Sequence, residues 1–220
     1  MSVISAIWDA FYQTFGVRAI WAILVLPALV VGFTLHEYAH AWMAVRLGDP
    51  TPKLDGRLTL NPLKHLDPLG TLLVFIAFIG WAKPVRWNPL YLRVPRRVGV
   101  ILVAAAGPVS NLLLALAALL VVKFFPFVLD LSLGGMLSMA NLIGVFITFN
   151  VILFVFNLIP LPPLDGFSVL VGLAPRAWEP LILFLHRYGT LLLLALIFFG
   201  SGIIGALVNT VMGVLTAVVL

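Results

Sequence analysis

Four stretches of this chain carry enough apolar residues in succession to cross a lipid bilayer: residues 19–45, 98–122, 136–159 and 180–220. A hydrocarbon core about 30 Å thick takes roughly 20 helical residues to cross, and inside it every backbone polar group needs an internal partner, which a helix supplies. The last stretch is long enough to fold back at Gly200–Gly202 ("GSG") and give two spans. Overall the 220 residues are 63% apolar and 10% charged, against roughly 45–50% and 25% in soluble domains. The expected fold is therefore an all-α membrane protein, a polytopic helical bundle of about five spans. Residues 1–17 hold one charge, Asp9, with Ile4, Ile7, Trp8, Phe11 and Phe15 at helical spacing, the pattern of an interfacial helix. They lack the positive n-region of a signal peptide.

The formal net charge of +5 raises the question of nucleic acid, and the placement of the charges answers it. Nine of the thirteen Lys and Arg fall between residues 46 and 97, beside membrane segments. That asymmetry marks a cytoplasmic face by the positive-inside rule, and too little soluble sequence remains for a nucleic-acid recognition fold. If residues 46–68 and 81–97 share that face, the apolar run Leu69–Gly80 between them enters and leaves on one side. Twelve residues are too few to span, so a re-entrant or extended segment is expected near 69–85, lying against protein or a watery cavity. Residues 98–122 then run outward, the loop 123–135 is external, and 136–159 return. "NLIPLPPLDG" (Asn157–Gly166) carries Pro160, Pro162 and Pro163, which break helix there. With no internal repeat or low-complexity linker, residues 1–220 read as one domain: an interfacial helix (1–17), a core (19–166) and C-terminal helices (180–220).

Near the end of the first span the chain reads "HEYAH", placing Glu37 between His36 and His40. An ionisable group within a membrane segment costs roughly 3 kcal/mol or more, so three within five residues call for a reason. Residues four apart on a helix lie about 40° apart around the axis and one turn along it, so the two imidazoles converge on a single ion with Glu37 beside it. Such a carboxylate can deprotonate water made acidic by a divalent metal. The alternative is a polar helix end with snorkelling histidines, since His40 lies only six residues before Arg46.

A metal centre of this type needs a third protein ligand, and the chain has no cysteine. The remaining donors are His65, His186, Asp9, Asp49, Asp55, Asp67, Asp130, Asp165 and Glu179. Asp9 and Asp130 fall on the wrong side of the membrane for His36 and His40. Asp165 lies just past the cytoplasmic end of the 136–159 helix, at the same depth, on proline-broken backbone. Asp165 is the expected ligand; an ordinary Asp-Gly turn is the other reading of that dipeptide.

Five motifs now stand in order: "HEYAH", "NPLKHLDPLG" (Asn61–Gly70), "GWAKPVRWNP" (Gly80–Pro89), "AGPVSN" (Ala106–Asn111) and "NLIPLPPLDG". Together they resemble the site-2 protease family of intramembrane zinc metalloproteases, over roughly residues 30–170, and compact prokaryotic members without a PDZ or CBS domain in particular. The resemblance implies that His36, His40 and Asp165 bind one Zn2+ and that Glu37 is the general base. It implies that Asn157 holds the scissile carbonyl or its oxyanion, and that Asn111 with Gly107 engages an unwound substrate strand. A helix cap for Asn157 and tight helix packing for Gly107 are equally good readings of those residues. His65 and Asp67 fall within a family motif without a deducible role, and Arg86-Trp87 departs from the smaller or proline-containing pair of relatives. The implied setting is multi-pass in the cell membrane with the site toward the cytoplasm, the implied substrates single-span membrane proteins. A divalent-metal transporter would leave Glu37 idle, and a non-catalytic scaffold would not need it. Oligomeric state is left open.

Overall fold

A computed structural model describes residues 17–77, 80–134 and 137–220. The interfacial helix expected over residues 1–17 lies, apart from Val17, outside them. In chain order the helices are α1 (Val17–Arg46), the short α2 (Thr51–Leu54), α3 (Pro68–Ala77), α4 (Arg96–Phe124), α5 (Met139–Asn157), α6 (Asp165–Leu173), α7 (Glu179–Phe199) and α8 (Ser201–Val219). Among the described residues five helices are long and apolar enough to cross a membrane: Ile20–Arg46, Arg96–Phe124, Met139–Asn157, Arg176–Phe199 and Ser201–Val219. The protein is a polytopic all-α membrane protein, with its last two spans separated at Gly200 as the sequence predicts.

The bundle is centred on α1, α4 and α5, with α6 laid against α4. Half of the apolar window of α1 is buried, against 11% in α7 and in α8. Lipid tails are as apolar as leucine, so helices in a membrane associate through close packing and polar contacts rather than through water exclusion. Small residues are accordingly frequent among the buried positions of α1 and α4: Ala28, Ala41 and Ala44 on α1, and Ala104, Gly107 and Ala115 on α4. Larger apolar side chains fill two clusters. Val25, Leu29, Phe33, Val74 and Leu153 join α1, α3 and α5, while Leu119, Ile147, Val151, Val155 and Val208 join α4, α5 and α8. Leu113, Leu183, Phe198 and Phe199 point outward, as lipid-facing positions should.

The segment expected to be re-entrant or extended is both in turn. Residues 68–77 form α3, which at 10 residues spans about 15 Å and cannot cross. The backbone is then extended from Gly80, pairing antiparallel at Leu66 and Ala82, with Lys83 N donating to His65 O at 2.7 Å. Pro84 and Pro89 keep this segment out of helix. Two features had no sequence signal strong enough to name them. One is the antiparallel pair β1 (Ser132–Gly134) and β2 (Leu137–Ser138) in the loop between α4 and α5; the other is α6 itself.

Because the chain has no cysteine, single cysteines report topology cleanly. Cysteines replacing the exposed Lys64 and Lys83, which flank α3, should react with an impermeant maleimide from the same face of sealed vesicles. A cysteine at the exposed Phe127 should react from the other face. Labelling of positions 64 and 83 from opposite faces would make α3 a span and overturn this topology.

Candidate metal centre

The HEYAH segment lies within the unbroken helix α1, and His36, Glu37 and His40 are all buried. One turn apart, the two rings bring their Nε2 atoms to 3.1 Å. Asp165 opens α6 at the end of the proline-rich stretch and sets Oδ2 3.1 Å from His36 Nε2 and 3.2 Å from His40 Nε2. Gly166 permits that approach, since a Cβ there would fall 2.3 Å from Leu158 O. The other nitrogen of each ring is engaged. His36 Nδ1–H donates to Asn111 Oδ1 and His40 Nδ1–H to Val103 O, both at 2.7 Å.

With their protons on Nδ1, both rings aim an Nε2 lone pair at Asp165 Oδ2, a buried oxygen without a hydrogen-bond donor of its own. Three acceptors this close repel unless positive charge lies among them. A proton bridges one pair; a divalent ion serves all three. A tetrahedral zinc site with ligand distances of about 2.0–2.1 Å has ligand–ligand edges of about 3.3 Å, close to this triangle. Two imidazoles and a carboxylate also form the donor set of a catalytic zinc, with a position left open.

The remaining sequence-predicted residues fall on or around this triangle. Gly107 lies directly over it: an added Cβ would stand 2.3 Å from His40 Nε2 and 2.7 Å from His36 Nε2. Asn111 is fully buried, and its amide is engaged inside the bundle, with Nδ2 donating to Asn150 Oδ1 at 3.0 Å and to Gly32 O at 3.2 Å. Asn157 lines the cleft that leads to His36, His40 and Asp165, its Nδ2 donating to Leu153 O. That cleft, of about 370 Å³, runs between the end of α5 and the extended segment, whose Trp81, Pro84, Val85 and Trp87 form one wall. Glu37 faces the same space. Val85 N donates to Glu37 Oε2 at 2.8 Å, and Arg57 Nη2 stands 3.9 Å from that oxygen.

His65 and Asp67 have positions that explain them. Fully buried, His65 donates from Nε2 to Thr59 O at 2.7 Å, and its own carbonyl holds Lys83. Asp67 caps α3, accepting from Gly70 N at 2.8 Å. His186 is exposed on α7 beside Phe167. Sequence reasoning missed Asn150, Arg57 and the scaffolding part of Asp49. Asp49 is fully buried, with Oδ1 taking Thr51 N and Oδ2 taking Asn88 N at 2.6 Å. Only Asn150 carried a readable signal, as an amide within an apolar span.

Among known proteins, "Putative zinc metalloprotease YwhC" of Bacillus subtilis is 43% identical over 169 residues, covering 76% of this chain and 77% of its own length. The chain belongs to the site-2 protease family. Proteins named "Putative zinc metalloprotease Rip2" from Mycolicibacterium smegmatis and Mycobacterium tuberculosis are each 32% identical over 67% of this chain, and the match spans 56% of their length. No family profile and no solved structure matches the chain.

Two expectations follow from the family member's geometry. Gly107→Ala should weaken zinc binding at least tenfold in chelator competition, while the helix content stays unchanged; wild-type affinity would show that α4 yields at this point. His65 gives a pH dependence. Burial, reinforced by Arg57, pushes its pKa below the ordinary 6.5 despite the bond to Thr59 O. The unfolded chain therefore takes up a proton before the folded one, so stability is full above about pH 6.5 and falls as the pH drops below it. Between pH 7.5 and 5.5 the Tm of the wild type should fall further than that of His65→Gln; equal falls would assign the acid sensitivity elsewhere.

Proposed function

We propose that this protein is a zinc-dependent intramembrane endopeptidase that hydrolyses peptide bonds in or near the transmembrane segments of single-span membrane proteins. The observation that carries this reading is the triangle of His36 Nε2, His40 Nε2 and Asp165 Oδ2 with the Glu37 carboxylate facing the same cleft. When bound by those three residues, zinc supplies Lewis acidity toward the scissile carbonyl and toward water. Glu37 takes the proton of the attacking water and returns it to the leaving amine. The Val85 N–H on Oε2 orients that carboxylate and leaves its other oxygen for the water. Asn157, which lines the cleft, would hold the carbonyl oxygen as it gains charge, using the amide hydrogen not given to Leu153 O.

A helical substrate conceals its carbonyls, so it must become extended before attack. The extended segment from Gly80 to Trp87 supports this step. It lines the cleft and pairs on one side with residues 65 and 66, and a substrate strand would lie along its other edge. The clustering of nine Lys and Arg between residues 46 and 97 supports a cytoplasmic position for this end of the bundle in the cell membrane. In this reading residues 1–220 form a single catalytic unit: residues 19–166 supply every ligand, and residues 180–220 add two further spans.

The test is cleavage of a fluorescently tagged single-span substrate by purified protein in detergent, with zinc content measured in parallel. Glu37→Gln should keep its zinc and cut about 10²–10⁴-fold more slowly than wild type, the usual range for losing a general base. Equal rates would remove Glu37 from the mechanism. Failure of both proteins to cut any of a panel of substrates while both hold zinc would refute the protease reading.

A further inference from the structure

Asn150 lies in the middle of α5 with no exposed surface and does not reach the metal ligands, yet it ends a chain of polar contacts that does. Its Nδ2 donates to Phe146 O, the carbonyl one turn back on its own helix, at 2.9 Å. That bond turns Asn150 Oδ1 toward Asn111, whose Nδ2 donates to it at 3.0 Å and to Gly32 O at 3.2 Å. With two acceptors on one side, the Asn111 amide presents Oδ1 on the other, and His36 Nδ1 lies there at 2.7 Å.

We propose that Asn150 is a positioning residue which, through Asn111, holds His36 in the tautomer that leaves Nε2 free to bind the metal. The logic lies in what a rotation of the Asn111 amide by 180° would do. Nδ2 would face His36, Nδ1 would have to accept, and the ring proton would move to Nε2. A ring in that state has no lone pair for the metal. Rotation would also set Asn111 Oδ1 against both Gly32 O and Asn150 Oδ1, two acceptors that cannot bond it. Asn150 supplies the shorter of these two contacts, and its own orientation is fixed by helix backbone. His40 needs no such relay, because Val103 O can only accept. The inference rests on the metalloprotease reading for the identity of the ion, but the tautomer of His36 can be measured without metal or substrate.

The experiment uses full-length protein in detergent, labelled with 15N-histidine. Only four histidines are present, so the ring nitrogens of His36 can be assigned by comparison with a His36 variant. In zinc-free wild type above the histidine pKa, His36 should carry its proton on Nδ1. Asn150→Leu removes the acceptor and should bring in the Nε2–H form and weaken zinc 10–100-fold in chelator competition, the usual effect of losing an outer partner of a metal ligand. Asn150→Asp should rescue both readouts, since a neutral acid donates to Phe146 O and accepts from Asn111 as the amide does. A purely structural role would not move the tautomer. Where the leucine variant does not fold, Asn150→Ala is read in its place with the same outcomes expected. Wild-type tautomer and affinity in the leucine or alanine variant would overturn the proposal, as would a folded aspartate variant that loses both. If wild type binds no zinc, the metalloprotease reading fails, while the tautomer comparison still decides the relay.

Discussion

Two imidazole lone pairs and a carboxylate oxygen about 3 Å apart in the apolar part of a bundle are tolerable only with a cation among them, and every other polar atom nearby must be arranged so that they stay unpaired. Much of the central bundle follows from that constraint. The second nitrogen of each ring must donate elsewhere, so α4 has to offer an acceptor beside each histidine. To bring those acceptors within 2.7 Å, the backbone of α4 must come close to α1, which only a residue without a side chain allows at position 107. Pro108, also buried, removes the N–H that would bond Ala104 O and loosens the same turn of α4. In a soluble helix these would be defects; here they accompany the close approach that lets Val103 O, one residue before Ala104, accept from His40 Nδ1.

A second set of buried polar groups builds the cleft. The stretch from Leu47 to Pro89 contains little regular structure, yet it holds Asp49, Arg57 and His65, all buried. Each takes hold of backbone, Arg57 in addition to its approach to Glu37: Asp49 binds Asn88 N, Arg57 binds Lys83 O, and His65 binds Thr59 O. Backbone groups in an irregular segment have no ladder to pair them, so side chains must do it. The result is that the segment from Gly80 onward is held from α1 and the preceding loop, with Val85 N pointing at Glu37. Glu37 is thus oriented by the same segment that forms the wall of the cleft.

What could be read from the sequence was whatever is written as a one-dimensional contrast. Ionisable residues in an apolar run, HEYAH and the Asp after three prolines, stand out because the membrane makes them expensive, and the three expected ligand atoms do meet. The spans were legible for the same reason, including the break at Gly200. The course of residues 69–88 was legible only as something that cannot cross: its helical first half and extended second half are decided by contacts with His65 and Glu37, distant in sequence. The short helix α6 and the β1–β2 pair lie where neither periodicity nor charge distinguishes a structured stretch from a loop. Asn111 illustrates a different limit. The motif marked the residue as important, but whether its amide faces a substrate or a histidine ring is a question of which side of α4 meets α1.

That last question has a geometric answer. His36 and His40 are four apart on α1; Val103, Gly107 and Asn111 are spaced by four on α4. Four residues advance a helix by about 6 Å with little rotation, so each set forms a stripe of the same pitch. The pairs His36–Asn111 and His40–Val103 run in opposite directions along the two helices, and Gly107 falls between them against both rings. Two antiparallel helices in contact along these stripes thus give each ring one acceptor, with Gly107 leaving a gap between them. The two acceptors lie eight residues apart on α4 and the two rings four apart on α1, so Gly107, midway between the acceptors, faces both rings. Moving Asn111 by a single residue would rotate its amide about 100° around α4 and leave His36 without its acceptor, even though the composition of the helix would not change.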